Sequence, residues 1–83
     1  MSYTYVLRSL KDNKLYIGST NNLTQRLKEH NNGCNKSTRH RRPFTLVYFE
    51  KFDTIEEARF REKLFKKSHS VLYKAAKWPD NHK

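Results

Sequence analysis

Tyr3-Thr4-Tyr5-Val6-Leu7-Arg8-Ser9-Leu10-Lys11-Asp12-Asn13-Lys14-Leu15-Tyr16-Ile17-Gly18 sets the architecture of this chain. Tyr3 to Ser9 is dense in aromatic and β-branched residues, whose side chains fit a pleated, half-buried surface, and it reads as a strand. Alternation along it places Tyr3, Tyr5 and Leu7 on one face and Thr4, Val6 and Arg8 on the other. Lys11-Asp12-Asn13-Lys14 supplies turn chemistry, because Asp and Asn tolerate the backbone angles of a tight reversal. Leu15 to Ser19 is then a second strand, and the hairpin brings Tyr5 and Tyr16 into one neighbourhood. Gly18 ends that strand at a point where a side chain would obstruct a close approach.

Outward from the hairpin, Asn21 or Asn22 caps a helix running to about Asn32, and Gly33 stops it. From Asn35 to Pro43 the chain turns basic, with Lys36, Arg39, Arg41 and Arg42, and reads as an exposed loop. Phe44-Thr45-Leu46-Val47-Tyr48-Phe49-Glu50 is the most apolar stretch and the third strand. Thr54 and Glu57 form a capping box that opens a second long helix through about Lys67. Val71 to Ala76 suggests a short third helix, followed by a polar tail over 78–83. The order β-β-α-β-α-α predicts a single α+β domain spanning 1–83, with its core over about 3–77. Its sheet is small, three-stranded and mainly antiparallel, with helices against it.

Only 35% of the 83 residues are hydrophobic, so the core is thin and uses most of the large apolar side chains. Eighteen basic residues against eight acidic ones give a formal net charge of +10. Such an excess repels itself and concentrates polyanions around the fold, which points to a phosphate backbone as partner rather than a membrane. Composition by itself does not separate DNA from RNA. Cys34 is the only cysteine, so no internal disulfide forms and a reducing cytoplasm fits. No secretory leader or apolar membrane-length run is apparent, and the chain reads as cytoplasmic. A zinc site from Cys34, His30 and His40 lacks paired-ligand spacing and is set aside.

Two charged residues break the apolar patterns. At roughly 100° per residue, Arg26 and His30 lie within about 60° of Leu23, in or beside the stripe of the first helix that faces the sheet. On the second helix, Ile55, Ala58 and Phe65 share a face, and Glu62 falls within about 40° of Ala58. Phe60 and Leu64 form a second apolar edge there. A charge at a core-facing position is costly unless an opposite charge meets it. Arg26 and Glu62 either pair in a buried salt bridge, reach past the core to water, or line a cleft in which a metal and a phosphate stand between them.

The ordered set of these residues resembles the GIY-YIG nuclease family. Tyr16-Ile17-Gly18 matches the second half of the family motif, and Tyr3-Thr4-Tyr5 stands in place of the first. Ten residues separate Tyr5 from Tyr16, Arg26 follows Tyr16 by ten positions, and His30 comes one helical turn later. Glu57-Ala58-Arg59-Phe60-Arg61-Glu62-Lys63 resembles the segment bearing the family's metal-binding glutamate. The loop from Asn35 to Phe44 is similar to that of small stand-alone bacterial members of the UPF0213 type, relatives of the N-terminal nuclease domain of the excision-repair protein UvrC. The resemblance covers about residues 3 to 67. Tyr3 and Thr4 depart from the glycine and isoleucine of the motif. Many characterised relatives also use an asparagine after the glutamate helix; Asn81 is the candidate here, and the role is not carried over to it.

The resemblance implies a DNA endonuclease using one Mg2+ or Mn2+ ion, with Tyr5, Tyr16, Arg26, His30 and Glu62 as catalytic residues. Glu62 suits the metal, because magnesium takes hard oxygen ligands yet keeps several waters. Arg26 offers a donor fork that matches phosphate geometry. Tyr5, Tyr16 and His30 all remain candidates for the base. Lys14, Lys36, Arg39, Arg41, Arg42 and Lys63 are the backbone-gripping candidates, giving affinity without sequence information. The sequence therefore predicts a nicking enzyme of little sequence specificity, structure-selective in repair or recombination, acting as a monomer with a separate partner supplying target choice. Two other classes compete with it: a non-catalytic nucleic-acid-binding module that keeps the fold, and a basic protein–protein adaptor.

Overall fold

In the computed structural model, which describes residues 1–76 and the side chains of 1–72, the hairpin forms as the sequence requires. Strand β1 (Ser2–Ser9) pairs antiparallel with β2 (Leu15–Thr20), setting Tyr5 opposite Gly18 and Leu7 opposite Tyr16. Asn13, in the turn, takes a positive φ of 62°, a conformation open to asparagine because its short polar side chain bonds locally. Ser9 fixes that turn: its hydroxyl accepts from the backbone N–H groups of Lys11 and Asp12 and donates to the carbonyl of Arg41. The second strand runs on past Gly18 to Thr20, so the glycine sits within the strand rather than at its end. Its small size serves the packing of the Tyr5 ring.

Helix α1 (Leu23–Asn31) starts at Asn22, whose side chain accepts from the backbone N–H of Gln25. It ends at Gly33, which adopts φ 78°. Asn31 ties α1 to the next strand, accepting from the N–H of Phe44 at 2.6 Å and donating to the Phe44 carbonyl at 3.2 Å. Strand β3 (Phe44–Phe52) pairs antiparallel with β1, giving the sheet order β2-β1-β3. A register shift lies between Val6 and Leu7, which pair with Tyr48 and Leu46. Val47 is the extra residue of this bulge, which opens the facing strand by one position.

Helix α2 (Ile55–Lys67) opens with the complete Thr54–Glu57 capping box, and α3 (His69–Ala76) follows after Ser68. The third helix starts two residues before Val71. The polar tail from 78, with Asn81, lies outside the described residues.

Helices cover both faces of the sheet. Val6 and Ile17 pack with Phe65 and Leu72, so α2 and α3 hold one face. On the other face, Tyr5, Leu7 and Phe44 pack with Leu23 and Leu27 of α1. The 2.6 Å bond from the buried Thr4 hydroxyl to the Ala58 carbonyl draws α2 against the central strand. Ala58 and Phe65 are fully buried, as the helical period predicts. Among the described residues no helix is long and apolar enough to cross a membrane.

Candidate active site

The polar face of the sheet is organised around the Tyr5 hydroxyl. Tyr5 is 1% exposed, and its ring lies where Gly18 leaves room. A Cβ on Gly18 would stand 2.5 Å from the Tyr5 hydroxyl and 2.7 Å from its Cζ. This close approach is what the glycine of Tyr16-Ile17-Gly18 provides.

From Tyr5 a hydrogen-bonded chain runs inward. The hydroxyl lies 3.2 Å from His30 Nε2, His30 Nδ1 lies 3.0 Å from Thr38 Oγ1, and the Thr38 hydroxyl donates to the Asn35 carbonyl. These contacts assign the tautomer. A threonine hydroxyl that donates to a carbonyl accepts from the imidazole, so Nδ1 carries the proton, Nε2 accepts, and Tyr5 is the donor. Burial and the nearby Arg26 charge both lower the His30 pKa against the smaller opposing effect of Glu29, keeping the ring neutral. Burial raises the Tyr5 pKa well above the ordinary phenol value, and the adjoining Tyr16 adds to it. The Tyr5 phenol is thus held protonated, and the His30 lone pair at Nε2 is taken up by it. Tyr16, only half-buried, packs its ring edge-on to His30 at 4.9 Å.

The two charged residues stand in opposite layers, Arg26 on α1 and Glu62 on α2. The Arg26 charge lowers the Tyr5 pKa and the Glu62 charge raises it, both less than burial does. Because β2 is an edge strand, no further strand separates α1 from α2 on that side. The salt bridge between Arg26 and Glu62 that periodicity allowed is not formed. Arg26 instead pairs with Glu29 at 3.2 Å, its side chain 42% exposed. Glu62, 20% exposed, is held by two donors: the Ser19 hydroxyl at 2.5 Å on Oε1 and Lys66 Nζ at 2.7 Å on Oε2. Lys66 already meets one carboxylate oxygen, so a divalent ion on Glu62 would take the place of that ammonium. No group of three or more His, Cys, Asp or Glu gathers among the described residues. One carboxylate would therefore hold the ion, with water and phosphate oxygens completing its shell.

The basic candidates divide. Lys14, Lys36 and Lys63 are exposed. Arg39 donates to the Gly33 carbonyl at 2.9 Å, and the Arg42 guanidinium lies against Gly33, where a Cβ would meet its Nη1 at 2.5 Å. Both charges thus sit at the carbonyl end of α1, where the helix dipole favours cations. Arg41 is committed within the fold: it pairs with Asp12 at 3.2 Å, donates to the Leu15 carbonyl and lies 5.7 Å over the Phe44 ring. It fastens the basic segment to the hairpin turn rather than standing free. The segment itself is less open than the sequence suggests, since Thr38 is buried and 39–41 form a turn of 3-10 helix.

Ser19 and Thr38, which bond Glu62 and His30, were not singled out by sequence, and Lys66, read there only as an extension of the basic patch, pairs with Glu62. Strand parity sets Ser19 on the same side as Ile17, facing α2, and the four-residue spacing of Glu62 and Lys66 is the helical ion-pair spacing. Those were the available signals. Thr38, in an aperiodic segment, offered none.

The family model of the GIY-YIG catalytic domain matches residues 1–74. A UPF0213 protein of Clostridium perfringens is 54% identical over 68 residues, 81% of this chain and 72% of that protein. A UPF0213 protein of Streptococcus pyogenes serotype M3 is 45% identical over 76 residues, covering 90% of this chain and 82% of that one. The solution structure of a UPF0213 protein from Bacillus halodurans matches with a TM-score of 0.56 and 33% identity, over 99% of this chain and 93% of that one.

Proposed function

This chain belongs to the GIY-YIG catalytic-domain family, and on that premise we propose that it is a divalent-metal-dependent endonuclease that nicks DNA with little sequence specificity. The observation that carries the reading is that Arg26 and Glu62 do not pair with each other, Arg26 standing with Glu29 and Glu62 with Ser19 and Lys66, while the charge of each acts on the buried Tyr5 hydroxyl. A module that only bound phosphates would gain nothing from a carboxylate beside it.

Each residue has a task set by its surroundings. Arg26 neutralises charge building on the phosphoryl oxygens. Exchanging Glu29 for a phosphate costs it little, because an exposed ion pair contributes roughly 0–1 kcal/mol. Glu62 holds the metal, Mg2+ or Mn2+, with Ser19 fixing one carboxylate oxygen. The bound ion supplies Lewis acidity to the scissile phosphate and the leaving oxygen. Tyr16 is the base: the Tyr5 proton is turned inward to His30, and His30 is sealed from solvent. Tyr5 and His30 are positioning residues that hold the Tyr16 ring. Lys14, Lys36, Arg39, Arg42 and Lys63 draw in the backbone without reading sequence.

The test is incubation of supercoiled plasmid with the protein in magnesium or in EDTA. Nicked circles that ligase reseals, formed with magnesium and absent with EDTA, are expected from cleavage leaving a 5′ phosphate. Salt-sensitive binding without cleavage of plasmid, duplex, nicked, flap or junction DNA in magnesium or manganese would instead make the chain a non-catalytic binding module.

A further inference from the structure

Beside the proposed site the same sheet face carries a second feature that the chemistry leaves unused. Tyr3 and Phe49 meet edge-to-face with ring centroids 6.1 Å apart. Phe49 pairs directly across from Tyr5, and Lys51 directly across from Tyr3. The two rings, Lys51, Asn21, Leu23 and Thr24 border one open hollow of about 630 Å³. Phe49 is 48% exposed there, in a chain whose core has few large apolar side chains to spare. Exposure alone is ordinary for a single apolar side chain; what sets Phe49 apart is a second ring, Tyr3, and a lysine beside it in one hollow, which together suit a ligand with a flat apolar face and a negative charge.

We propose that Tyr3 and Phe49 form a stacking platform for one nucleobase that has left the double helix. The inference rests on the endonuclease reading and names the feature of DNA that reading leaves open. Three observations select this occupant. Every base offers a flat π-face to an aromatic ring, and a basic residue beside the ring meets the attached phosphate. Lys51 is exposed at that position and no acidic residue borders the hollow. Asn21 lines the hollow and accepts from the Ser2 hydroxyl through its Oδ1 at 2.7 Å, so its amide N–H groups are not used in that bond and are donors open to a base edge. The hollow also shares helix α1 with the proposed site. Leu23 borders it and Arg26 follows one turn later on α1, about 4.5 Å along the axis. A base on Phe49 would lie on the strand that Arg26 is proposed to contact. A fully stacked duplex presents no free base face to the platform, whereas a single strand or an extruded nucleotide does.

Binding is measured by fluorescence anisotropy at fixed salt in EDTA, so that no cleavage intervenes. The probes are a labelled 15-nucleotide single strand, a duplex with one bulged nucleotide, the fully paired duplex, and the bulged duplex with an abasic residue at the bulge. The wild type is expected to prefer a probe with an unpaired base over the paired duplex by about 5- to 100-fold, the range one stacked base supports. Phe49→Ala removes that preference, Phe49→Trp keeps it, and all variants bind the paired duplex alike. Preference for the single strand alone identifies a flexible strand as the source of the base; preference for the bulge identifies base extrusion. Equal discrimination by wild type and Phe49→Ala, both folded by circular dichroism, overturns the proposal while leaving metal-dependent cleavage standing. Loss of binding to every probe in Phe49→Ala but not in Phe49→Leu also overturns it, because packing alone would then explain the residue. A preference lost with Phe49→Ala in a protein that never cleaves would sink the nuclease reading and leave the platform.

Discussion

The two faces of the sheet solve opposite problems. On the α2–α3 face, Val6, Ile17, Phe65 and Leu72 meet as hydrocarbon, and burial there needs no partner. On the α1 face, a phenol, an imidazole and a threonine hydroxyl are buried together, tolerable because each is hydrogen-bonded to the next. The first face supplies most of the hydrocarbon core, with Ser19 and Glu62 at its margin, and the second buries the Tyr5–His30–Thr38 chain at some cost to stability. Division of labour between the faces lets a chain of low hydrophobic content afford a polar interior.

The sharpest way to break this comparison is to cut into each face. Phe65→Ala in the hydrocarbon face leaves a cavity and is expected to cost about 3–5 kcal/mol, much of the stability of a domain this small, read by urea denaturation. Gly18→Ala strikes the polar face by excess. The added methyl overlaps the Tyr5 hydroxyl and is expected to cost about 1–3 kcal/mol, with cleavage falling further than stability because the Tyr5 ring is displaced. A Gly18→Ala protein with full activity and unchanged stability would show that the Tyr5 ring can shift freely.

Tyr5→Phe removes the donor to His30 and leaves a buried acceptor unsatisfied, for a loss of roughly 1–3 kcal/mol. The same chain responds to pH. His30 stays neutral in the fold, whereas the unfolded chain takes up a proton below about pH 6.5. Stability is therefore full above that pH and falls as pH drops through the window beneath it, the unfolded state binding the extra proton. Thermal melts from pH 8 to pH 5 are expected to show this decline, with a flatter profile in His30→Gln. Parallel profiles would mean that His30 is not buried neutral.

How much of this was legible beforehand depends on periodicity. The hairpin, both capped helices and the third strand follow local rules of alternation, turn chemistry and capping, and they stand where those rules put them. Covering of both sheet faces was only implicit: Val6 and Tyr5 are both apolar, so alternation names two faces without assigning helices to them. Arg26 and Glu62 were conspicuous because they interrupt apolar stripes. Their failure to pair was not visible, since Arg26 snorkels toward Glu29 and a strand serine 43 residues away holds Glu62. Thr38 and Arg41 were hidden for a related reason. Their partners, His30 and Asp12, lie across an aperiodic segment, and nothing local distinguishes an arginine that fastens a turn from one that grips DNA.

The smallest stability effect goes with the largest proposed effect on function. Glu62 is partly exposed and its Lys66 pair is an i,i+4 surface pair, so Glu62→Gln should change stability by no more than about 0.5 kcal/mol. The direct measurement is therefore the single-turnover nicking rate of supercoiled DNA in magnesium by wild type and Glu62→Gln at matched stability, with Arg26→Ala alongside. A loss of about a hundredfold or more in both variants is the predicted result, as for groups aimed at charge developing in the transition state. Equal rates in all three proteins would contradict the account.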